Sequence, residues 1–138
     1  MVQADTQQPT ILIVDDEMDL RFFLTTLFET SGFTAVSARD GRDGMRLARE
    51  RRPSLIVLDI MMPGEGGAVM YKALKGDPQL APIPVIMLSA VDAKAFRHYL
   101  TMLNAQSAQP VPPPAAYMEK PPDPDALLAL ARKVLGAH

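Results

Sequence analysis

The sequence predicts an alternating α/β domain in which five strand–helix units build one open parallel sheet. Three observations carry that prediction. Short apolar runs at 11–14, 55–58 and 85–88 are almost entirely Ile, Val, Leu and Met, the pattern of strands buried on both faces. Segments of helical periodicity separate them, with Gly and Pro marking the boundaries. Each run also ends in polar residues: Asp15 and Asp16, then Asp59, then Ser89 and, after a fourth run at 116–119, Lys120. In an open parallel sheet, ligands bind beyond the carboxyl ends of the strands where the strand order reverses, so these residues would meet in one crevice.

The elements follow in order. Residues 1–9 are polar, lack the basic and hydrophobic regions of a signal peptide, and are expected to form a flexible tail ahead of a domain over 10–136. Asp16 stands where it could cap the first helix, whose apolar stripe is Leu20, Phe23, Leu24, Leu27 and Phe28. Gly32 ends that helix. A short second strand covers 33–38, and a weak helix over about 43–51 turns Met45 and Ala48 inward until Pro53 stops it. After Asp59 comes a Pro-Gly loop, then a helix around 68–75 carrying Val69, Ala73 and Leu74. The fourth helix, roughly 92–104, buries Phe96, Leu100 and Leu103, with Ala93 continuing the stripe. Residues 105–114 form a proline-rich insertion, too poor in apolar groups to pack and biased toward an extended polyproline conformation. Asp123 and Pro124 supply an N-cap and a preset first residue for the last helix, which holds Leu127, Leu130, Ala131 and Val134.

Composition narrows the function. With 138 residues and 48% hydrophobic content the chain fills one core, and a second globular domain is not expected. A net charge of -2 argues against a broad nucleic-acid surface, and the basic cluster from Arg46 to Arg52 is interrupted by Glu50, as in a solvated helix face. The absence of cysteine excludes disulfides, thiol catalysis and Cys-ligated zinc. No apolar run is long enough to cross a bilayer, so a cytoplasmic protein is expected.

Asp15, Asp16 and Asp59 brought close together repel one another, and a divalent cation relieves that cost. Hard oxygen ligands that leave room for water and phosphate suit Mg²⁺. A carboxylate beside such a metal can attack phosphorus and form an aspartyl-phosphate. Asp59, alone at the end of the central strand, is the candidate acceptor, with Lys120 neutralising one phosphoryl oxygen and the Ser89 hydroxyl donating to another. Each residue alone has a plainer role. The acidic run could complement a helix dipole, Ser89 could cap a strand end, Lys120 could be a solvated charge and Asp59 a turn former. Their joint position at four strand ends favours a phosphate and metal site.

The runs Ile-Leu-Ile-Val-Asp15-Asp16-Glu17, Leu-Ile-Val-Leu-Asp59-Ile-Met-Met-Pro63-Gly, Val-Ile-Met-Leu-Ser89-Ala90 and Tyr117-Met-Glu-Lys120-Pro121 closely resemble the receiver domains of two-component response regulators. The resemblance runs from about Thr10 to Leu135. It implies a flavodoxin-like, doubly wound sheet of order 2-1-3-4-5. It further implies that Asp59 takes a phosphoryl group from a histidine kinase or histidine-phosphotransfer protein. Mg²⁺ would be held by Asp15 or Asp16 and the backbone carbonyl of Met61, and Lys120-Pro121 would be a cis peptide. Phosphate at Asp59 would draw Ser89 inward and let Tyr117, in the position of the family's switching aromatic, move between exposed and inward poses. The altered face of helix four, strand five and helix five would then meet a downstream protein.

Met18 and Phe22, four apart and opposite the core stripe of the first helix, are the expected docking pair for the phosphodonor. The insertion at 105–114 departs from the family pattern and is either a tolerated loop or an arm reaching a partner or second subunit, which leaves open a phosphorylation-dependent homodimer. Met61 and Val91, two residues after the acceptor and the hydroxyl, are both apolar and cannot orient an attacking water, so slow loss of phosphate is expected. Met1, together with an end shortly after the last helix, suggests a single-domain regulator. A degenerate receiver acting as a constitutive binding module is the alternative. An enzyme is disfavoured, because hydrolases resembling haloacid dehalogenases carry a second Asp two residues after the nucleophile, where Met61 stands.

Overall fold

Burial of apolar runs on both faces demands helices above and below the sheet, and the chain supplies them in strict alternation. A computed structural model describes residues 8–60, 67–105, 108 and 110–136. Strands β1 (Thr10–Val14), β2 (Thr34–Ala38), β3 (Leu55–Asp59), β4 (Val85–Ser89) and β5 (Ala116–Glu119) alternate with helices α1 (Met18–Thr30), α2 (Gly41–Arg51), α3 (Gly67–Gly76), α4 (Ala93–Ala105) and α5 (Pro124–Leu135). Every pairing is parallel and the order is β2-β1-β3-β4-β5, the flavodoxin-like arrangement expected. Alternating side chains sort to two cores. Leu12, Val14, Ile56, Leu58, Val85 and Met87 pack under α2, α3 and α4, whereas Ile11, Ile13, Leu55, Val57, Ile86 and Leu88 pack under α1 and α5.

Several local expectations change. Helix α1 is capped at Glu17, not Asp16, and no side chain bonds its free amides; the Asp15 side chain accepts from the Glu17 N–H instead. Phe23, placed in the α1 core stripe by its spacing, is substantially exposed, since Leu24 and Phe28 already fill the face against the sheet. Helix α2 begins two residues earlier than expected because the Asp40 carboxylate caps it, accepting from the Asp43 N–H. Its last turn leads into Arg52 at φ 45°, just before Pro53. On α3 the buried side chains are Met70, Tyr71 and Leu74, with Val69 and Ala73 facing outward. Gly32 has φ +95°, as its place after α1 requires, and Asp123 caps α5 through the Ala126 N–H.

Among the described residues of the proline-rich insertion, Val111 packs into the core, contrary to expectation. The Asn104 side chain closes a ring with Val111, its Nδ2 donating to the Val111 carbonyl at 3.0 Å and its Oδ1 accepting the Val111 N–H at 2.9 Å. Val111 is thereby buried in the α2–α3–α4 core, and the Tyr71 hydroxyl donates to the Pro112 carbonyl at 2.6 Å. Composition hid this, because one valine held by side-chain hydrogen bonds needs no apolar run around it. Residues 1–7 of the expected tail, and Gln106, Ser107 and Gln109 of the insertion, lie outside the described residues. Among the described residues no helix is long and apolar enough to cross a membrane.

Candidate functional site

Strand register assembles the site. Val14 pairs with Leu58, so the next residues, Asp15 and Asp59, leave the sheet side by side. Asp59 pairs with Leu88, putting Ser89 one step beyond it, and Ser89 pairs with Glu119, putting Lys120 beyond that. The Lys120 N–H donates to the Ser89 carbonyl at 2.7 Å, fixing where the lysine side chain starts. The Lys120-Pro121 bond is cis, as the resemblance implied.

Asp15 and Asp59 are almost wholly buried, and Asp16 stands exposed at the rim. One carboxylate oxygen from each of the three lies within 4.8 Å of the other two. The Lys120 ammonium reaches Asp15 Oδ2 at 3.0 Å, Asp59 Oδ2 at 3.2 Å and Glu17 Oε1 at 3.2 Å. Burial by itself would lower the lysine pKa, but Asp15 and Asp59 outweigh it and hold the ammonium protonated well above its ordinary range. Glu17 was legible in the sequence only as part of an acidic helix start, and the structure makes it a third partner of Lys120.

One ammonium does not neutralise four carboxylates. Asp15 Oδ2 in particular is buried and receives no directed hydrogen bond, because the Lys120 contact is an ion pair off the hydrogen-bonding line. A buried carboxylate oxygen without a hydrogen bond, in a group of three converging carboxylates, is what a hard divalent cation would bind, and the all-oxygen donor set fits Mg²⁺. Met61, whose carbonyl was expected to complete that set, lies outside the described residues, as do Met62 and Pro63.

Ser89 is fully buried beside the cup, and its Oγ accepts the Val91 N–H at 3.3 Å. The Val91 carbonyl in turn accepts the Tyr117 hydroxyl, and the Tyr117 ring stacks on Phe96 with centroids 4.6 Å apart and planes 15° off parallel. Burial raises the Tyr117 pKa, a hydrogen bond with Ser89 partly offsets this, and the charges of Glu119 and Asp92 add to the rise. Tyr117 is half-buried. Met18 and Phe22 are open to solvent as expected, Phe22 at 74% exposure. Beside them Leu20, Phe23, Pro121 and Pro122 line an apolar hollow of about 490 Å³ that borders Lys120 and Glu17.

The sequence spacing missed Gly67. A Cβ at this first residue of α3 would overlap the carbonyl oxygen of Asp59 and crowd the Ile60 Cα, so the helix start lies directly against the backbone of Asp59.

Comparison with known proteins agrees with this arrangement. The family model described as the response regulator receiver domain matches residues 11–132. Protein PilH of Pseudomonas aeruginosa is 32% identical over 125 residues, covering 91% of this chain and 96% of its own. The polar-differentiation response regulator DivK of Brucella anthropi is 38% identical over 84 residues, covering 61% of this chain and 68% of its own. Among solved structures, chemotaxis protein CheY4 of Vibrio cholerae shares the fold at a TM-score of 0.79 and 23% identity, covering 92% of this chain and 98% of its own. The receiver domain of a signal transduction histidine kinase from Syntrophus aciditrophicus superposes at a TM-score of 0.77 with 28% identity, covering 94% and 91%. Sheet order, acidic cup and sequence match converge on one assignment: the chain belongs to the response regulator receiver domains of two-component signalling.

Proposed function

We propose that Asp59 accepts a phosphoryl group from the phosphohistidine of a kinase or histidine-phosphotransfer protein, and that this receiver domain acts as a cytoplasmic switch. The observation that carries this reading is the buried Asp59 carboxylate sharing one cup with Asp15, Asp16 and Lys120. An Asp59 oxygen attacks phosphorus, the P–N bond breaks, and the imidazole nitrogen leaves with the electron pair and takes up a proton. Lys120, already held among carboxylates, moves its charge to a phosphoryl oxygen. Mg²⁺, held by Asp15, Asp16 and Asp59 with the Met61 carbonyl, would supply Lewis-acid neutralisation of the incoming charge. The apolar hollow at Phe23, Pro121 and Pro122 extends the Met18 and Phe22 surface on which the donor would dock.

The relay outward starts at Ser89. Drawing its hydroxyl toward three new acceptor oxygens takes the acceptor from the Val91 N–H, and Val91 also holds Tyr117. Tyr117 and Phe96 then re-pack, changing the α4–β5–α5 face presented to a downstream protein. Moving such an equilibrium from mostly off to mostly on takes about 5.5 kcal/mol of differential interaction.

Incubation with Mg²⁺ and a small acyl or amido phosphate, followed by intact mass, tests the reading. The expected result is one phosphate adduct, absent with chelator and absent in Asp59→Asn. No adduct in the wild-type chain would instead fit a constitutive binding module, and continuous turnover of the donor would fit a hydrolase.

A further inference from the structure

Six of the nine arginines of this chain fall between positions 39 and 52, a segment without a single lysine. Arg39, Arg42, Arg46 and Arg49 line a shallow shelf along α2. Arg46 is spent on Asp43 and Glu50, but Arg39, Arg42 and Arg49 form no ion pair among the described residues. In a protein of net charge -2, Arg42 and Arg49 on α2, with Arg39 just ahead of it, are a local excess of positive charge.

A second observation lies beside the first. Gly44 lets α2 and α3 approach until Met70 lies against the α2 backbone, and the close approach leaves a groove of about 210 Å³ on the outer side. Its walls include Met45, Val69 and Ala73, and its rim includes Arg42 and Arg49, which also belong to the shelf. Val69 is a large apolar side chain left 58% exposed, although helix spacing would let it pack. Neither feature is used by the acidic cup, which opens at the strand ends.

We propose that this α2–α3 groove docks an acidic amphipathic helix of a partner protein. Arg42 and Arg49 are two helical turns apart, about 10 Å, which matches the spacing of acidic residues seven apart on a facing helix. The partner's apolar face would cover Val69 and Ala73, while its carboxylates would take the forked guanidinium donors. Nucleic acid fits less well, because Asp40, Asp43 and Glu50 interrupt the basic stripe and an apolar floor offers nothing to phosphates. The surface is separate from the α1 donor surface and from the α4–β5–α5 face, so it could be engaged together with either.

The test uses the full chain, isotope-labelled for amide NMR, and a synthetic helical peptide with Glu and Leu on adjoining faces. Saturable shifts at Gly41, Met45, Val69 and Ala73 are expected. Binding should weaken at least about tenfold in Arg42→Glu/Arg49→Glu and in Val69→Asp, and fall with added salt. Thermal midpoints and phosphate adduct formation at Asp59 should stay as in the wild-type chain. The proposal is overturned if shifts are absent or centre on α1 or α4, or if the same peptide with Ser for Leu binds equally well. It is overturned too if duplex DNA binds this face more tightly at equal salt, or if sedimentation shows that the face instead joins two copies of the chain.

Discussion

A methyl group separates two glycines that the sequence alone would treat alike. At Gly67 the added carbon would overlap the Asp59 carbonyl, which is rigid backbone at the edge of the central strand. At Gly44 it would meet chiefly the thioether end of Met70, which is flexible and can retreat, and would press less closely on a Val14 methyl at 3.1 Å. Gly67→Ala should therefore cost about 2 kcal/mol of stability and slow phosphate adduct formation, because the acceptor backbone itself must shift. Gly44→Ala should be near neutral, with better helix propensity offsetting the displaced methionine. Urea unfolding and adduct kinetics on both variants check this, and equal losses would mean that the acceptor backbone is not what Gly67 protects. At this scale the residue types of the cup were legible, since carboxylates, hydroxyl and ammonium each ended an apolar run. Which acid pairs with Lys120 was not legible, because Glu17 reaches it only through a fold-level contact across 103 positions.

Strands were legible where pattern and burial coincide, and helix phase was not where apolar residues surround the axis. The α3 sequence Gly-Ala-Val-Met-Tyr-Lys-Ala-Leu offers two apolar stripes, and tertiary packing selects the one with Met70, Tyr71 and Leu74. Tyr71 decides the matter, because its hydroxyl needs an acceptor when buried and the Pro112 carbonyl provides it. The same contact turns the proline-rich segment from an insertion into a strap between α3 and the end of α4. Burial also pushes the Tyr71 pKa from the ordinary 10.0 up to about 12. The folded state thus favours the neutral phenol, so the stabilisation is complete below pH about 10 and is lost as the pH rises from there toward 12. Tyr71→Phe should be about 1 kcal/mol less stable at neutral pH, from the lost hydrogen bond. It should then close that gap above pH 10, since Phe has no proton to lose. Tyr71→Phe keeps the ring that the Lys75 ammonium overlies at 5.6 Å, so the difference between the two denaturation curves reads the Tyr71 hydroxyl. A gap that stays constant to pH 12 would show that the hydroxyl is not the responsible group.

At the scale of the molecule, the acidic cup costs stability, because the one Lys120 ammonium offsets only part of the charge of four carboxylates. Asp15 and Asp59 leave neighbouring strand ends and are held together by the sheet, while Asp16 and Glu17 follow Asp15 at the exposed rim. That cost is a property of the whole fold and should be read in its stability. Asp16, exposed at the rim with Asp15 and Asp59 close by, is the member whose charge can be removed with least disturbance of packing. In chelator, Asp16→Asn should unfold later than the wild-type chain, by roughly 0.5–1 kcal/mol of relieved repulsion at solvent-like dielectric. With Mg²⁺ at about 100 times its dissociation constant the wild-type chain should gain about 2.7 kcal/mol, a rise in Tm on the order of 10 °C. Asp16→Asn should lose most of that gain and fall behind. Ser89→Ala, which removes no carboxylate, should keep it. The crossing of the Asp16→Asn and wild-type Tm values between chelator and Mg²⁺ separates a metal site from a merely acidic surface, since general screening would raise all three chains together. If Asp16→Asn keeps the full gain, or Ser89→Ala loses it, the cation is not held by the cup.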